Sequence, residues 1–331
     1  MRLELIDTMK KQTKKLLKLF GGVILTLSSI YAINRIVFFL ATLKEKLYTK
    51  NGKFFEHSTG KIYYTKNGSG SPLLLIHDLN CASCDYEWNE TLKKFSQNHT
   101  VYTLDLLGCG RSDKPKITYT SYLYVKLISD FVKEIICDKT DVIVTGDAAS
   151  LLIMTDKMYP DLFQHIILVN PTDFSEVNCY PVKLDIYKKK LLEMPIIGTA
   201  IYNLYHSKTV IQSKFHSDYI FNNQTNALRY VSRYFEAAHL KGSSNKYLYA
   251  SKKCNYLGCN VTEGFLRMQT PVCVILGEMM DYTTDFSDWV TTLNPAAEVA
   301  IMDNTKYLPH IEEAEEFVAI CNTFFREGTL D

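Results

Sequence analysis

Residues 141–150, DVIVTGDAAS, narrow the choice of fold more than any other stretch of the chain. Residues 142–145 are a short β-branched run, Gly146 supplies a turn, and an apolar helical pattern runs from Ala149 to Met158. That order predicts a buried strand feeding a helix through a tight turn, a unit of which α/β sheets are built.

The rest of the chain repeats the pattern. Residues 53–57 and 61–66, separated by Ser58-Thr59-Gly60, read as a hairpin. The unbroken apolar run 72–76 reads as a strand buried on both faces. Further strands are predicted at 101–106, 165–169, 272–276 and 298–302, and helices at 86–97, 120–137 and 312–326. Residues 171–270 break the rhythm, being helical in pattern, rich in Tyr and Lys, and without a convincing strand. The expected architecture is an α/β fold with a mostly parallel sheet. Residues 44–170 and 271–331 would form the core, and 171–270 an inserted helical cap.

Residues 20–43 are apolar enough for a transmembrane-type helix and about long enough to cross a bilayer core. Their Val, Ile, Leu and Phe side chains contribute about −4 to −8 kcal/mol on the insertion scale, against about +3 kcal/mol for a central Arg, here Arg35. Arg2, Lys10, Lys11, Lys14, Lys15 and Lys18 precede the run. Residues 1–43 therefore read as a basic segment with a single-pass anchor, the N-terminus cytoplasmic and the C-terminal domain exported. A cleaved signal peptide and an interfacial helix are the two other readings.

A net charge of +1 provides no field for nucleic acid, and none is expected as a partner. The nine cysteines include one CxxC pair, Cys81 and Cys84, with no second pair and no His pair at ligand spacing. No metal and no cofactor is expected.

Several stretches resemble the α/β-hydrolase superfamily, in its helical-cap branch. Residues 68–77, GSGSPLLLIH, resemble the strand leading to that family's His-Gly oxyanion motif. Residues 105–115, DLLGCGRSDKP, resemble the loop at the mouth of its active site, and Leu308-Pro309-His310-Ile311-Glu312 resembles its C-terminal segment. The resemblance implies a nucleophile at a G-x-S-x-G elbow, with the next N–H serving the oxyanion hole. Aligned on Gly146, the nucleophile position falls on Ala148; shifted by one, it falls on Asp147, as in relatives with a carboxylate nucleophile. The base position falls on Tyr307, with His310 three residues on, and the acid position on Asp281. His77, Asp78 and Leu79 stand where the oxyanion loop would be, and Ser150 is a displaced hydroxyl beside the elbow.

A phenol titrating near 10 is a poor base at neutral pH, and alanine has no lone pair. The leading expectation is a membrane-anchored, catalytically degenerate member of this fold. It would keep a cap-covered pocket for a small apolar, ester- or acyl-like ligand, with cap aromatics such as Tyr202, Tyr230 and Tyr249 either lining it or forming core. An active esterase- or dehalogenase-like hydrolase with rearranged residues is the alternative, and a membrane-tethered interaction protein the second.

Overall fold

A computed structural model describes residues 2–222 and 227–327; residues 223–226 of the expected cap and 328–331 of the expected core lie outside the described residues. The first element is α1 (Arg2–Thr42). A hairpin of β1 (Lys53–His57) and β2 (Gly60–Asn67) follows, then β3 (Ser71–Ile76), α2 (Asn89–Phe95), β4 (His99–Leu104), α3 (Ser121–Phe131), β5 (Thr140–Thr145), α4 (Ala148–Met158) and β6 (Phe163–Val169). After a helical block come β7 (Val272–Gly277), α12 (Thr283–Leu293), β8 (Glu298–Met302), α13 (Pro309–Glu312) and α14 (Ala314–Glu327). That block comprises α5 (Phe174–Val177), α6 (Lys183–Glu193), α7 (Ile197–Tyr205), α8 (Lys208–Lys214), α9 (Ala227–His239), α10 (Lys246–Lys253) and α11 (Thr262–Leu266).

The strands form one eight-stranded sheet in the order β1-β2-β4-β3-β5-β6-β7-β8. β2 pairs antiparallel with β1 and β4, and all other pairings are parallel. Alternate side chains of a strand point to opposite faces. Leu74, Val142, Val144, Ile166 and Val274 accordingly pack on one side, while Leu73, Leu75, Ile143, Ile167 and Ile275 pack on the other. Burying each such side chain is worth about 1.5–3 kcal/mol. Both faces need helices, which is why the central strands lack polar alternation. The predicted helix at 120–137 ends in a π-turn, Val132–Ile136, closed by Cys137 in the left-handed region.

The helical block is held to α1. Asn34 is buried, donates to Ile196 O at 3.2 Å and accepts from Asn203 Nδ2 at 2.9 Å. Phe38 meets the His239 ring at 5.3 Å, and Glu236 accepts from the N–H groups of Lys46 and Leu47. Arg35 is exposed, next to the docked Asn34. All nine cysteines are free thiols, the Cys81 and Cys84 pair included.

Candidate functional site

β5 lies at the centre of the sheet with every residue buried, and its carboxyl end delivers the chain into a single sharp turn. The strained residue of that turn is Gly146, with φ +57°. Asp147 is already helical in conformation and Ala148 opens α4, fully buried in the core. A nucleophile elbow is the strained residue between strand and helix. Gly146 takes that position, one residue before Asp147 and two before Ala148. Neither register weighed from the sequence lands there, because spacing along the chain does not reveal which residue takes the left-handed conformation. Gly146 N–H donates to Val169 O at 3.0 Å and its carbonyl accepts from Ala149 N at 3.1 Å, which fixes the turn.

The space where an elbow side chain would stand is filled. A Cβ built on Gly146 would overlap the Tyr307 hydroxyl and Asp78 Oδ1. Asp78, on the loop after β3, accepts from Asp147 N–H at 3.0 Å and from the Tyr307 hydroxyl. Asp147 N–H is the group after the elbow, so the donor an oxyanion would use already has a partner. Asp78 thus points into the turn. Burial pushes Asp78 up to about 6, with Lys252 opposing that rise. Burial also raises Tyr307 well above the usual phenol value, and Asp78 and Asp147 add to the effect. Tyr307 stays a proton donor at neutral pH.

Elements from opposite ends of the chain hold this arrangement. Asn170 donates to the carbonyls of Lys306 and Tyr307 at 2.9 and 3.0 Å and accepts from Gly277 N at 3.0 Å, tying the Tyr307 loop to β6 and β7. The Tyr307 ring stacks on Tyr219 at 5.3 Å. Lys252 of α10 pairs with the Asp147 carboxylate and donates to Leu79 O at 2.7 Å. Thr172 also bonds Asp147. Burial acts to raise Asp147, but Lys252 and Thr172 outweigh it and hold the carboxyl below its usual range.

The histidines stand elsewhere. His77 donates from Nδ1 to Asp78 O at 2.7 Å and accepts at Nε2 from Leu106 N at 3.0 Å, which assigns a neutral ring bridging two backbone segments. His310 is fully buried and packs against the Trp88 ring, centroids 4.5 Å apart and planes tilted by 31°. Neither of its ring nitrogens has a hydrogen-bond partner among the described residues, and burial lowers it to about 3. Its Nε2 lies 3.8 Å from Glu87, a buried carboxyl raised to about 7, first by burial and then by Asp78. Glu87 accepts from Tyr234 at 3.0 Å and from Thr145 and Asp78 N. Asp281 is exposed after β7. Ser150 donates to Asp147 O at 2.8 Å within α4.

A cavity of about 170 Å³ opens beside the elbow, lined by Leu79, Asp147, Ser150, Thr172, Val177 and Lys252 among others. The aromatics of the helical block do not line it. Tyr202, Tyr230 and Tyr234 are buried core, and Tyr205 is exposed. Of the expected site residues, Asp147, Asp78, Leu79, Ser150 and Tyr307 come together here, while Asp281, His77 and His310 do not. Sequence reading missed Gly146, Glu87, Asn170, Thr172, Tyr219 and Lys252; only the glycine carried a local signal. Elsewhere, Cys84, Asp85 and Asp105 gather their ligand-type atoms, but the Arg111 guanidinium pairs with both carboxylates.

No family model matches the sequence. Uncharacterized proteins of Mycobacterium bovis and Mycobacterium tuberculosis are 30% identical over 103 residues, 31% of this chain and 30% of theirs, so the chain spans about a third of their length. A serine hydrolase involved in carbazole degradation has a similar structure at 16% identity, with a TM-score of 0.66 over 83% of this chain and 98% of that one. A bacterial membrane phospholipase A is similar over 95% of this chain and 99% of that one, at 15% identity and a TM-score of 0.67.

Proposed function

We propose, on the premise that the chain is an α/β-hydrolase by fold, that it binds a small molecule at the elbow without hydrolysing it, and does so at a membrane. The observation that carries this reading is the filled elbow. Gly146 has no side chain to attack with, and the space for one is taken by Asp78 and Tyr307. Catalysis of acyl transfer needs a nucleophile, a base and open oxyanion donors together. Each of the three is missing or blocked at this turn. A rearranged hydrolase would need a base beside Asp147 or Ser150; His77 is committed to backbone groups and His310 is packed on Trp88.

What remains is the cavity, smaller than the usual range of drug-sized sites, about 300–1,000 Å³. Its charged end is the Asp147–Lys252 pair and its apolar wall includes Leu79 and Val177. A short acyl- or ester-like molecule with one polar end fits that lining. Membrane attachment is supported by α1, where residues 9–42 are long and apolar enough to cross a bilayer. The likeness to a membrane phospholipase A over nearly the whole chain points the same way.

The test uses the full-length protein. Ester and haloalkane panels and a fluorophosphonate probe should give neither turnover nor labelling. Asp78→Gly, Gly146→Ser and Tyr307→His combined should create measurable esterase activity, because they restore the nucleophile, the base and the free N–H. Wild-type turnover that Asp147→Asn or Ser150→Ala abolishes would overturn the reading. Binding is checked by thermal shift with short-chain acyl compounds, and Ser150→Phe, which fills the cavity, should remove the shift.

A further inference from the structure

The α6 helix is inside out. Its two buried residues are charged, Asp185 at 3% and Lys189 at 9% exposed, with Leu192 partly buried beside them. Asp185 accepts from Val182 N at 3.0 Å and from Asn255 at 3.4 Å, while Lys189 pairs with Glu193 and lies over the Tyr256 ring. Its outward residues are apolar, with Leu184 61%, Tyr187 70% and Leu191 46% exposed. Positions 184, 187 and 191 fall on one helical face. Met194 and Ile197 extend this face to the start of α7, and Leu204 and Tyr205 are exposed at its end. Leaving such side chains in water forgoes the gain of burying them, and contiguous exposed apolar surface marks an interaction site.

We infer that the outward face of α6 and the ends of α7 lie in the lipid–water interface, as a second membrane contact beside α1. Three observations choose the bilayer as occupant. First, the face is continuous with α1, because Asn34 bonds Ile196 O at the α6–α7 corner and Asn203 toward the end of α7. Second, the lengths match. With Asn34 docked, residues 16–33 are free to cross the bilayer, about 27 Å at the helical rise, close to the roughly 30 Å of a hydrocarbon core. Tyr31 and Arg35 then fall at the headgroup level, and Tyr180, Tyr187 and Tyr205 are exposed tyrosines on or beside α6 and α7. Tyrosines concentrate at that depth. Third, Lys183, Lys188 and Lys190 rim the apolar face, a pattern that suits anionic headgroups. An α1-only anchor gives no account of the inverted helix. The consequence is that the helical block sits against lipid through α6 and α7.

The inference rests on reading α1 as a membrane helix, and the experiment separates the two. Full-length Tyr187→Trp, Ile24→Trp and Tyr122→Trp variants are reconstituted in phosphatidylcholine–phosphatidylglycerol vesicles containing brominated lipids. Emission of each added Trp is read against the parent protein. Quenching at 187 and 24 but not at 122, which lies exposed on α3, is the expected result. Quenching at 24 alone overturns the inference and leaves the anchor standing. Quenching at neither overturns both. A lipid-independent blue shift at 187 that grows with protein concentration assigns the face to a second copy of the chain, and overturns the inference as well.

Discussion

The main-chain N–H of Asp147 donates to the Asp78 carboxylate at 3.0 Å, so the chain supplies its own anion to the donor that follows the elbow. The Tyr307 hydroxyl completes the plug, and Lys252 offsets part of the charge of the two carboxylates around it. The consequences of this arrangement can be measured.

Gly146→Ala should destabilise the protein by about 2 kcal/mol or more, since an L-residue in the left-handed region costs about 1–2 kcal/mol and its Cβ would also displace buried polar groups. Tyr307→Phe removes the nearest of the overlapping atoms and should recover part of that loss in the double mutant. Urea unfolding measures both. A Gly146→Ala variant as stable as wild type would contradict the filled elbow.

Ala148→Ser places a hydroxyl in the core, not at the elbow. It should cost about 1–3 kcal/mol for burying that group and yield an inert protein, even when combined with Tyr307→His. Esterase activity in that double mutant, assayed with nitrophenyl esters, would return the elbow to position 148.

Glu87 carries a pH signature. Its folded value of about 7 lies above its ordinary value, so the folded state holds the extra proton and this group's contribution to stability falls as pH rises from about 4.5 to 7. Buried histidines such as His310 act in the opposite direction over much of the same window, so the wild-type profile alone does not isolate the effect. Glu87→Gln should therefore gain stability relative to wild type across that window, by up to about 3 kcal/mol at 1.36 kcal/mol per unit. Melting temperatures of the two proteins from pH 4.5 to 7.5 provide the check; parallel curves would refute the shift.

Lys252→Met leaves the Asp147 carboxylate without its cation. Both side chains are partly exposed, at 33% and 28%, so the expected loss is modest, about 1–2 kcal/mol at neutral pH. Asp147 is held below its ordinary value, so the stability it contributes is present above about pH 4 and disappears as the carboxyl protonates. The gap between variant and wild type should close in acid. Denaturant titrations at pH 7 and pH 3 would show it, and a gap independent of pH would assign Lys252 a packing role only.

Most strands were legible because burial on both faces leaves a local record: 72–76, 142–145 and 272–276 are apolar without alternation, and each became a central strand. The turn after 145 was legible for the same reason. Which residue bears the strain was not, since only backbone dihedrals place Gly146 rather than Ala148 at the bend. The plug was legible only in part, because its members lie far apart in sequence. Asp78, Tyr307 and Lys252 meet at the elbow only when the sheet brings the loops after β3 and β8 to one edge and α10 folds over them.

The α6 helix marks the same divide. Its composition determined that it would be helical, with hydrophobic and charged residues at helical spacing. Which stripe faces in was decided by Asn255 and Tyr256, which supply inward partners for Asp185 and Lys189. The sequence DVIVTGDAAS likewise determined a strand, a turn and a helix, through local propensity alone. That Asp78 and Tyr307 fill the space at Gly146, with the Asp147 N–H already paired, is a property of groups brought from elsewhere, because a hydrogen bond depends on position in space and not on spacing along the chain.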